Sequence, residues 1–297
     1  MKWRGVWKLA RPLPLAIWSV PTVFMGFLLQ THSAARPRGL VLGLTLLAAM
    51  ILQGVVTHGL NDLYDWDSGT DKETTGIISG GSRVLAQGLL SVRQIWMLVI
   101  VGSFIYAAIS WYIFTVRGWG VLLWAGLGLF GAVSYSLPPL RFSYRPFAGE
   151  WGALFPTMAS GVLLGAIAKN ATMSAQIYVG AAIYGIYCVA SVMQHHLADM
   201  EADWNAHPRK RTTPAYWWLQ RHRSPLQIIT GYEAVAMAVA LGGAMWISSV
   251  FVPWIAVAAV ALAITYTTPL HKGPWPLTRR DLALKLLAVA GVLSIIR

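Results

Sequence analysis

Charged side chains are scarce in this chain of 297 residues. Asp, Glu, Lys and Arg make up 11% of the sequence, whereas hydrophobic residues make up 56% and the mean hydropathy is +0.56. Soluble domains contain roughly one-quarter charged residues, so this composition excludes an ordinary soluble domain. The 23 basic and 11 acidic residues give a net charge of +12. The basic residues are scattered between apolar runs, which favours membrane orientation over nucleic-acid binding.

Two further absences narrow the possible functions. Cys188 is the single cysteine, so an internal disulfide is excluded, and its apolar surroundings indicate a small buried side chain. The phosphate-binding pattern Gly-x-x-x-x-Gly-Lys-Ser/Thr is absent, which argues against a nucleotide ligand. No low-complexity tract or short repeat interrupts the chain. We therefore interpret residues 1–297 as one domain.

Apolar runs recur along the whole chain, and about 20 such residues suffice for a helix to cross a bilayer. The sequence therefore predicts an all-α integral membrane protein with about nine transmembrane helices. The predicted spans are Leu13–Gln30, Leu40–Leu60, Ile95–Val116, Gly120–Leu137, Trp151–Ala168, Ala175–Val192, Leu226–Trp246, Ser248–Tyr266 and Leu282–Ile296. The tight turn near Trp246 contains no strong helix breaker, so eight spans with one bent helix are the alternative.

The distribution of basic residues predicts the orientation in the membrane. With nine alternating spans, 18 of the 23 Lys and Arg residues lie on the side of the N-terminus. The positive-inside rule then places the N-terminus in the cytoplasm and the C-terminus outside. We expect a plasma membrane of the bacterial type. The oligomeric state is not readable from the sequence.

Eight of the 11 acidic residues lie in two short segments, Asp62–Glu73 and Asp199–Asp203. Each segment begins where a predicted span reaches the cytoplasmic side, so the two segments could meet in space. In the second segment, Asp199 and Asp203 are one helical turn apart.

Helical spacing in the first segment places Asn61, Asp62 and Asp65 on one face. Carboxylates packed in this way near a bilayer repel one another, so they should have shifted pKa values, meet basic partners or bind a cation. Ligands that are all oxygen atoms favour a hard cation, and Mg²⁺ fits best.

Basic residues follow both acidic segments. Lys72 and Arg83 come after the first, and Arg209, Lys210 and Arg211 come after the second. Cations beside carboxylate-bound Mg²⁺ suit a diphosphate, because phosphate oxygens can bridge metal ions while Lys and Arg neutralise the remaining charge.

These patterns resemble the UbiA superfamily of intramembrane prenyltransferases. Asn61-Asp62-x-x-Asp65-x-x-x-Gly69-x-Asp71 is similar to its first aspartate-rich motif, in the form of the 1,4-dihydroxy-2-naphthoate polyprenyltransferase branch. Asp199-x-x-x-Asp203, followed by Lys210-Arg211-Thr212, is similar to the second motif. The segments 80–85 (GGSRVL) and 135–141 (YSLPPLR) also resemble the family. The resemblance implies a helical bundle around a central cavity that opens to the cytoplasm and the lipid.

The resemblance also implies an activity and a set of site residues. The expected reaction is Mg²⁺-dependent transfer of a polyprenyl group from an allylic diphosphate to an aromatic, quinone-precursor-like acceptor, through ionisation of the diphosphate. Two Mg²⁺ ions would be bound by Asn61, Asp62, Asp65, Asp199 and Asp203. The diphosphate would contact Arg83, Lys210, Arg141 and Lys72. The cavity wall would include Tyr64, Tyr135 and Asp71, and the catalytic candidates are Asp65, Asp199, His195 and His196.

One segment departs from the family pattern. The naphthoate branch carries Asn-Asn-x-Arg-Asp before the second motif, whereas this chain has HHLAD at 195–199, with Ala198 in place of the arginine. The missing cation leaves the acceptor open. It also leaves open a terpene cyclase of the same fold, which cyclises a polyprenyl diphosphate without an acceptor. His195 and His196 could form a general base pair, lie beside the metal ions, contact substrate or serve a structural role.

A transporter that uses intramembrane acids is the candidate of a different class. Such proteins pair interrupted helices across inverted repeats, and no matching Gly or Pro interruptions are found in the two halves of this sequence. Both aspartate segments also lie at predicted span ends, which counts against transport.

Overall fold

Helices account for the regular structure of the protein. The computed structural model describes residues 2–29, 39–73 and 80–296, with only the backbone at 72 and 73, and these residues contain no strand. The long helices are α1 Pro12–Leu28, α2 Gly39–Ser68, α3 Val92–Arg117, α4 Gly120–Ser136, α5 Gly149–Ala168, α6 Ala175–His196, α7 Leu226–Trp246, α8 Ser249–Tyr266 and α9 Pro274–Leu293. Short helical segments occur at Trp3–Ala10, Thr70–Glu73, Phe142–Tyr144, Met200–Asn205, Thr213–Ala215 and Tyr216–Gln220.

The predicted fold class is confirmed. Six of the long helices, α2, α3 and α5 to α8, are long and apolar enough to cross a membrane, and α1 and α4 are shorter apolar helices. The residues 247–248 separate α7 from α8, where Ser248 accepts a hydrogen bond from the Val250 amide, so these are two helices and not one bent helix. The number of membrane spans stays a prediction, and Gln30, predicted to end the first span, lies outside the described residues.

Local sequence signals explain the helix ends that border the site. α2 ends at Gly69, whose φ of +90° is the left-handed conformation that glycine adopts without strain. α3 begins after Ser91, which forms a capping box with Gln94: each side chain pairs with the backbone amide of the other.

The long helices form a ring in chain order. Each helix from α2 to α8 packs against the next, and α1 packs most extensively against α5 and also against α2, α6 and α9. The α1–α5 contact is close because small residues meet there. A Cβ atom on Gly26 would lie 1.7 Å from the Val162 carbonyl oxygen, and one on Gly165 would lie 2.0 Å from that of Val23. The two backbones therefore touch directly.

The outer surface of the protein is rich in large apolar side chains, unlike that of a soluble protein. Large apolar side chains point outward, among them Phe104, Trp246 and Tyr266, which are 73%, 81% and 82% exposed. Charged side chains such as Asp65 and Lys210 are buried. This arrangement matches an outer surface solvated by lipid and an interior that contains the polar groups.

Candidate active site

A cavity lies in the centre of the bundle, as predicted. Asp65, Asp203 and Lys210 lie at one end of its wall, and Val121 lies toward the other. Val121 and Tyr135 both line the cavity and are fourteen residues apart on α4, so the cavity extends about 21 Å along that helix at 1.5 Å per residue. The wall between the two ends is formed mainly by apolar and small residues.

The two aspartate segments lie side by side at the polar end. α2 carries the first segment and α6 leads into the second. The carbonyl oxygen of Ser68 at the end of α2 accepts a hydrogen bond of 2.8 Å from the amide of His207, which follows the short helix Met200–Asn205. This contact fixes the second segment against the end of α2.

Lys210 lies between the two segments. Its Nζ is 2.6 Å from Asp65 Oδ2 and 3.7 Å from Asp203 Oδ1, and the side chain is buried. Its backbone amide donates to the Asp203 carbonyl at 2.9 Å, which fixes the residue locally. Burial by itself disfavours the charged ammonium, but the carboxylates of Asp203 and Asp65 outweigh this effect and raise the pKa of Lys210. Lys210 is therefore the positive charge of the site at neutral pH.

Asp65 has partners on three sides. Its Oδ2 accepts from Asn61 Nδ2 at 2.8 Å as well as from Lys210, and its Oδ1 accepts from the Tyr144 hydroxyl at 2.9 Å. These donors orient the carboxylate toward the cavity, which Asn61 also lines. Asp65 thus connects α2 both to Lys210 and to Tyr144.

Asp203 and Asp71 have raised pKa values. Burial raises the pKa of Asp203 to about 7, against the opposing effect of Lys210, and its Oδ2 accepts from Thr212 at 3.1 Å. Burial and the negative charge of Asp65 raise the pKa of Asp71 to about 8. Asp71 packs against Gly81, where a Cβ would lie 2.0 Å from Asp71 Oδ2 and where the φ of +69° favours glycine. Both carboxyl groups would lose their protons more readily beside a bound cation.

The donor set of this end of the cavity fits a hard divalent cation. Asn61, Asp65, Asp71, Asp199 and Asp203 all line it and offer oxygen atoms. The Asp203 Oδ1 atom is buried and makes no hydrogen bond. Within the described residues, no three His, Cys, Asp or Glu side chains are close enough to bind one ion together, because the Lys210 ammonium separates Asp65 from Asp203.

Asp62 and Arg83 are not among the residues that line the main cavity. Asp62 accepts hydrogen bonds from the Ser82 amide at 3.1 and 3.2 Å and from its hydroxyl group, and it forms an ion pair with Arg11. Asp62 and Arg83 line a small separate pocket beside Trp66. Arg11, which the sequence analysis treated only as an orientation signal, lines the main cavity. The roles predicted for Asp62 and Arg83 stay predictions.

Of the other predicted residues, only some line the cavity. The Arg141 guanidinium stacks on Tyr144 at 4.4 Å and on Tyr64 at 5.0 Å, and neither Arg141 nor Tyr64 lines the cavity. Tyr135 does line it, with its hydroxyl 3.3 Å from His196 Nε2. The side chain of Lys72 lies outside the described residues.

A second charged cluster lies where α6 and α9 meet. The sequence analysis named its histidine, His195, as a candidate but missed Asp281 and Lys285. His195 Nδ1 is 2.9 Å from Asp281 Oδ2, and the other oxygen of Asp281 forms an ion pair with Lys285. His195, His196 and Lys285 line the cavity. Lys285 could have revealed this cluster from the sequence, because it is a charged residue inside the apolar run assigned to the last span. Charged residues within membrane spans are costly and usually functional.

Comparison with known proteins identifies the family. Residues 19–289 match the UbiA prenyltransferase family. Because this match covers most of the chain, the protein belongs to that family. The resemblance stated from the two aspartate motifs is thereby confirmed.

Solved structures share the fold. A UbiA homologue from Archaeoglobus fulgidus bound to GPP and Mg²⁺ superposes with a TM-score of 0.75 at 18% identity, covering 98% of this chain and 99% of the other. A UbiA homologue from Aeropyrum pernix K1 gives a TM-score of 0.67 at 20% identity, covering 93% and 96%. At these identities the likeness establishes the fold alone.

A sequence relative is described as lycopene elongase/hydratase from Corynebacterium glutamicum. It is 27% identical over 154 residues, which is 52% of this chain and 51% of the relative. The match thus spans about half the length of each protein.

Proposed function

We propose that the protein is an intramembrane prenyltransferase that ionises an allylic polyprenyl diphosphate and transfers the prenyl group to an acceptor. The observation that carries the proposal is the position of Asp65, Asp203 and Lys210 at the polar end of a long apolar cavity. The diphosphate lies at the polar end, and the prenyl chain extends along the cavity wall.

The residues at the polar end of the cavity have different roles in the proposed reaction. Asn61, Asp65, Asp199 and Asp203 would bind Mg²⁺, whose charge neutralises the departing diphosphate. With cations on the two carboxylates, Lys210 would be available to bind diphosphate oxygens. The apolar wall excludes water, which protects the allylic cation from hydrolysis. The number of metal ions, two, is part of the proposal.

The class of acceptor has two candidates. The aspartate motifs resemble a branch that uses an aromatic quinone precursor, which supports an aromatic acceptor. Ala198 removes the cation found in that branch, and the relative from Corynebacterium glutamicum is described as a lycopene elongase/hydratase, which supports an uncharged isoprenoid acceptor. The cyclase alternative requires no acceptor.

The test is an assay of the purified protein with Mg²⁺ and allylic diphosphates of increasing length. Each is incubated alone, with aromatic acceptors and with carotenoid acceptors, and diphosphate release and lipid products are measured by mass spectrometry. We expect diphosphate release that requires one acceptor class. Release without acceptor, giving a cyclic product, would instead establish the cyclase.

Substitutions test whether turnover requires the residues of this site. Asp65→Asn and Asp199→Asn should abolish turnover with the fold retained, and excess chelator should do the same. Asp67→Asn and Glu201→Gln are matched controls because both side chains are exposed on the same two segments, and they should keep wild-type turnover. Wild-type turnover in Asp65→Asn or in chelator would contradict the proposal.

A further inference from the structure

The cluster where α6 meets α9 has the geometry of an oriented base. Asp281 is buried, with 2% of its side chain exposed, and its two oxygen atoms have different partners. One contacts His195 Nδ1 at 2.9 Å and the other contacts Lys285 Nζ. A quarter of the His195 side chain is exposed, and this residue lines the cavity.

The hydrogen bond to Asp281 determines which ring nitrogen of His195 carries the proton. A carboxylate can only accept, so Nδ1 must donate, and the neutral ring then has an unprotonated Nε2. Because Nδ1 is engaged with Asp281, Nε2 is the nitrogen left for the cavity. Its lone pair is what a general base requires.

Charge in the cluster keeps the ring neutral. Lys285 already neutralises Asp281, so protonation of His195 would leave the cluster with a net positive charge in a buried site. The other charged or titratable groups that face the ring add no negative charge. They are Arg11 before α1, His58 on α2 and His196 on α6.

We infer that His195 is the base that removes the final proton of the reaction and that Asp281 is the residue that positions it. This inference rests on the proposed function. The allylic C–O bond breaks first, and diphosphate leaves with the bonding electron pair. A double bond of the acceptor then forms the new C–C bond, which leaves a cation on the acceptor. His195 Nε2 takes a proton from the carbon beside that cation, and the C–H electron pair becomes a double bond.

The cluster is made of different residues from those that hold the diphosphate, which suits this role. Asp65 and Lys210 act on the leaving group, whereas His195 acts after the leaving group has departed. Ionisation and proton removal are therefore separable, and each has its own readout. Diphosphate release reports the first step. With an isoprenoid acceptor, the ratio of olefin product to water-trapped alcohol reports the second.

The decisive variants are His195→Ala and Asp281→Asn. In both, diphosphate release should stay within a few-fold of wild type, while the olefin product falls by about 100-fold or more, as expected when a general base is lost. Imidazole added to His195→Ala should restore the olefin product, which a structural defect would not allow. The double variant should lose no more of the olefin product than either single variant does, because the two residues act as one unit. His222→Ala, an exposed histidine, is the matched control.

The outcomes separate this inference from the proposed function. If the wild-type protein releases no diphosphate, the proposed function itself is wrong. Loss of diphosphate release in His195→Ala, or an unchanged olefin yield, would overturn the role of base. A second measurement needs no turnover: the ¹⁵N spectrum of histidine-labelled protein should show His195 neutral and protonated at Nδ1, with this signal lost in His195→Ala. A ring protonated at Nε2 would overturn the inference.

Discussion

Lys210 is the residue on which the polar end of the cavity depends. Two buried carboxylates, Asp65 and Asp203, would repel each other without a cation between them, and the Lys210 ammonium is that cation. Removing one partner of a buried ion pair typically costs about 3–5 kcal/mol, because the other charge stays buried and unpaired. A divalent cation on the same carboxylates would substitute for the ammonium.

This arrangement predicts the behaviour of Lys210→Met. In chelator, the melting temperature of the variant in detergent should fall well below that of the wild type. Adding Mg²⁺ should reduce the difference in melting temperature between the variant and the wild type, because an ion that binds only the folded state stabilises that state. Differential scanning fluorimetry with and without Mg²⁺ measures both effects.

The control is Arg211→Met, which removes the same charge one residue further along, where the side chain is exposed. It should melt like the wild type in both conditions. Equal melting temperatures for Lys210→Met and wild type in chelator would show that Lys210 does not stabilise the two carboxylates.

At the scale of elements, the α1–α5 contact positions one wall of the cavity. Thr22 and Gly26 on α1 are four residues apart, as are Gly161 and Gly165 on α5, and each set of small residues faces the other. Helices in lipid associate through such small residues because close backbone contact replaces the hydrophobic driving force available in water. Thr22 and Gly161 also line the cavity, so the spacing of these helices determines its width.

A single methyl group in this contact should be disruptive. Gly165→Ala should lower the free energy of unfolding by about 1–3 kcal/mol, as overpacking does elsewhere, since the helices must separate. Gly126→Ala in α4 is the matched control, because nothing lies within 4 Å of its added Cβ. Thermal unfolding in detergent compares the two, and an unchanged stability of Gly165→Ala would contradict the close contact.

The helices themselves were largely predictable, and the differences have a common cause. The bounds of α7 match the prediction, whereas α2 continues to Ser68 and α6 to His196, beyond the predicted ends. α9 begins at Pro274, eight residues before the predicted span. In each case hydropathy places the end at polar residues, yet some of these, namely Asp65, His195 and Asp281, pair inside the protein and the helix continues. Average hydropathy cannot distinguish a polar residue that leaves the membrane from one that faces a partner.

The site was predictable where its residues are close in the sequence or are joined by a family motif. Asp65, Asp203 and Lys210 meet in the structure as the two-motif pattern suggested. The pairing of Arg11 with Asp62 was not predictable, because it joins residues 51 positions apart. The same holds for His195 and Asp281, which are 86 positions apart. Such contacts follow from the packing of helices and not from spacing within one helix.

At the scale of the whole molecule, the distribution of charge predicts its orientation. The ends of α2 and α6 that carry the aspartates lie on the side predicted to be cytoplasmic, together with 18 of the 23 basic residues. The turn before α6 and the turn before α9 should therefore face opposite sides. Cys188 is buried, so the natural chain offers little background for labelling of introduced cysteines.

Cysteine labelling tests this orientation. In intact cells, a membrane-impermeant maleimide should react with Ser174→Cys, an exposed position before α6. It should react with His271→Cys, an exposed position before α9, only after the membrane is permeabilised. The opposite pattern would show that the positive-inside rule fails for this protein.

The ammonium of Lys210 also bears on how the protein is made. Structural zinc domains are unfolded without their metal, so their synthesis depends on metal supply. Here Lys210 supplies the positive charge beside the carboxylates of Asp65 and Asp203. Membrane insertion and folding can therefore be completed before a metal ion binds. Magnesium supply should then govern how fast the protein works in the cell and leave its abundance in the membrane unchanged.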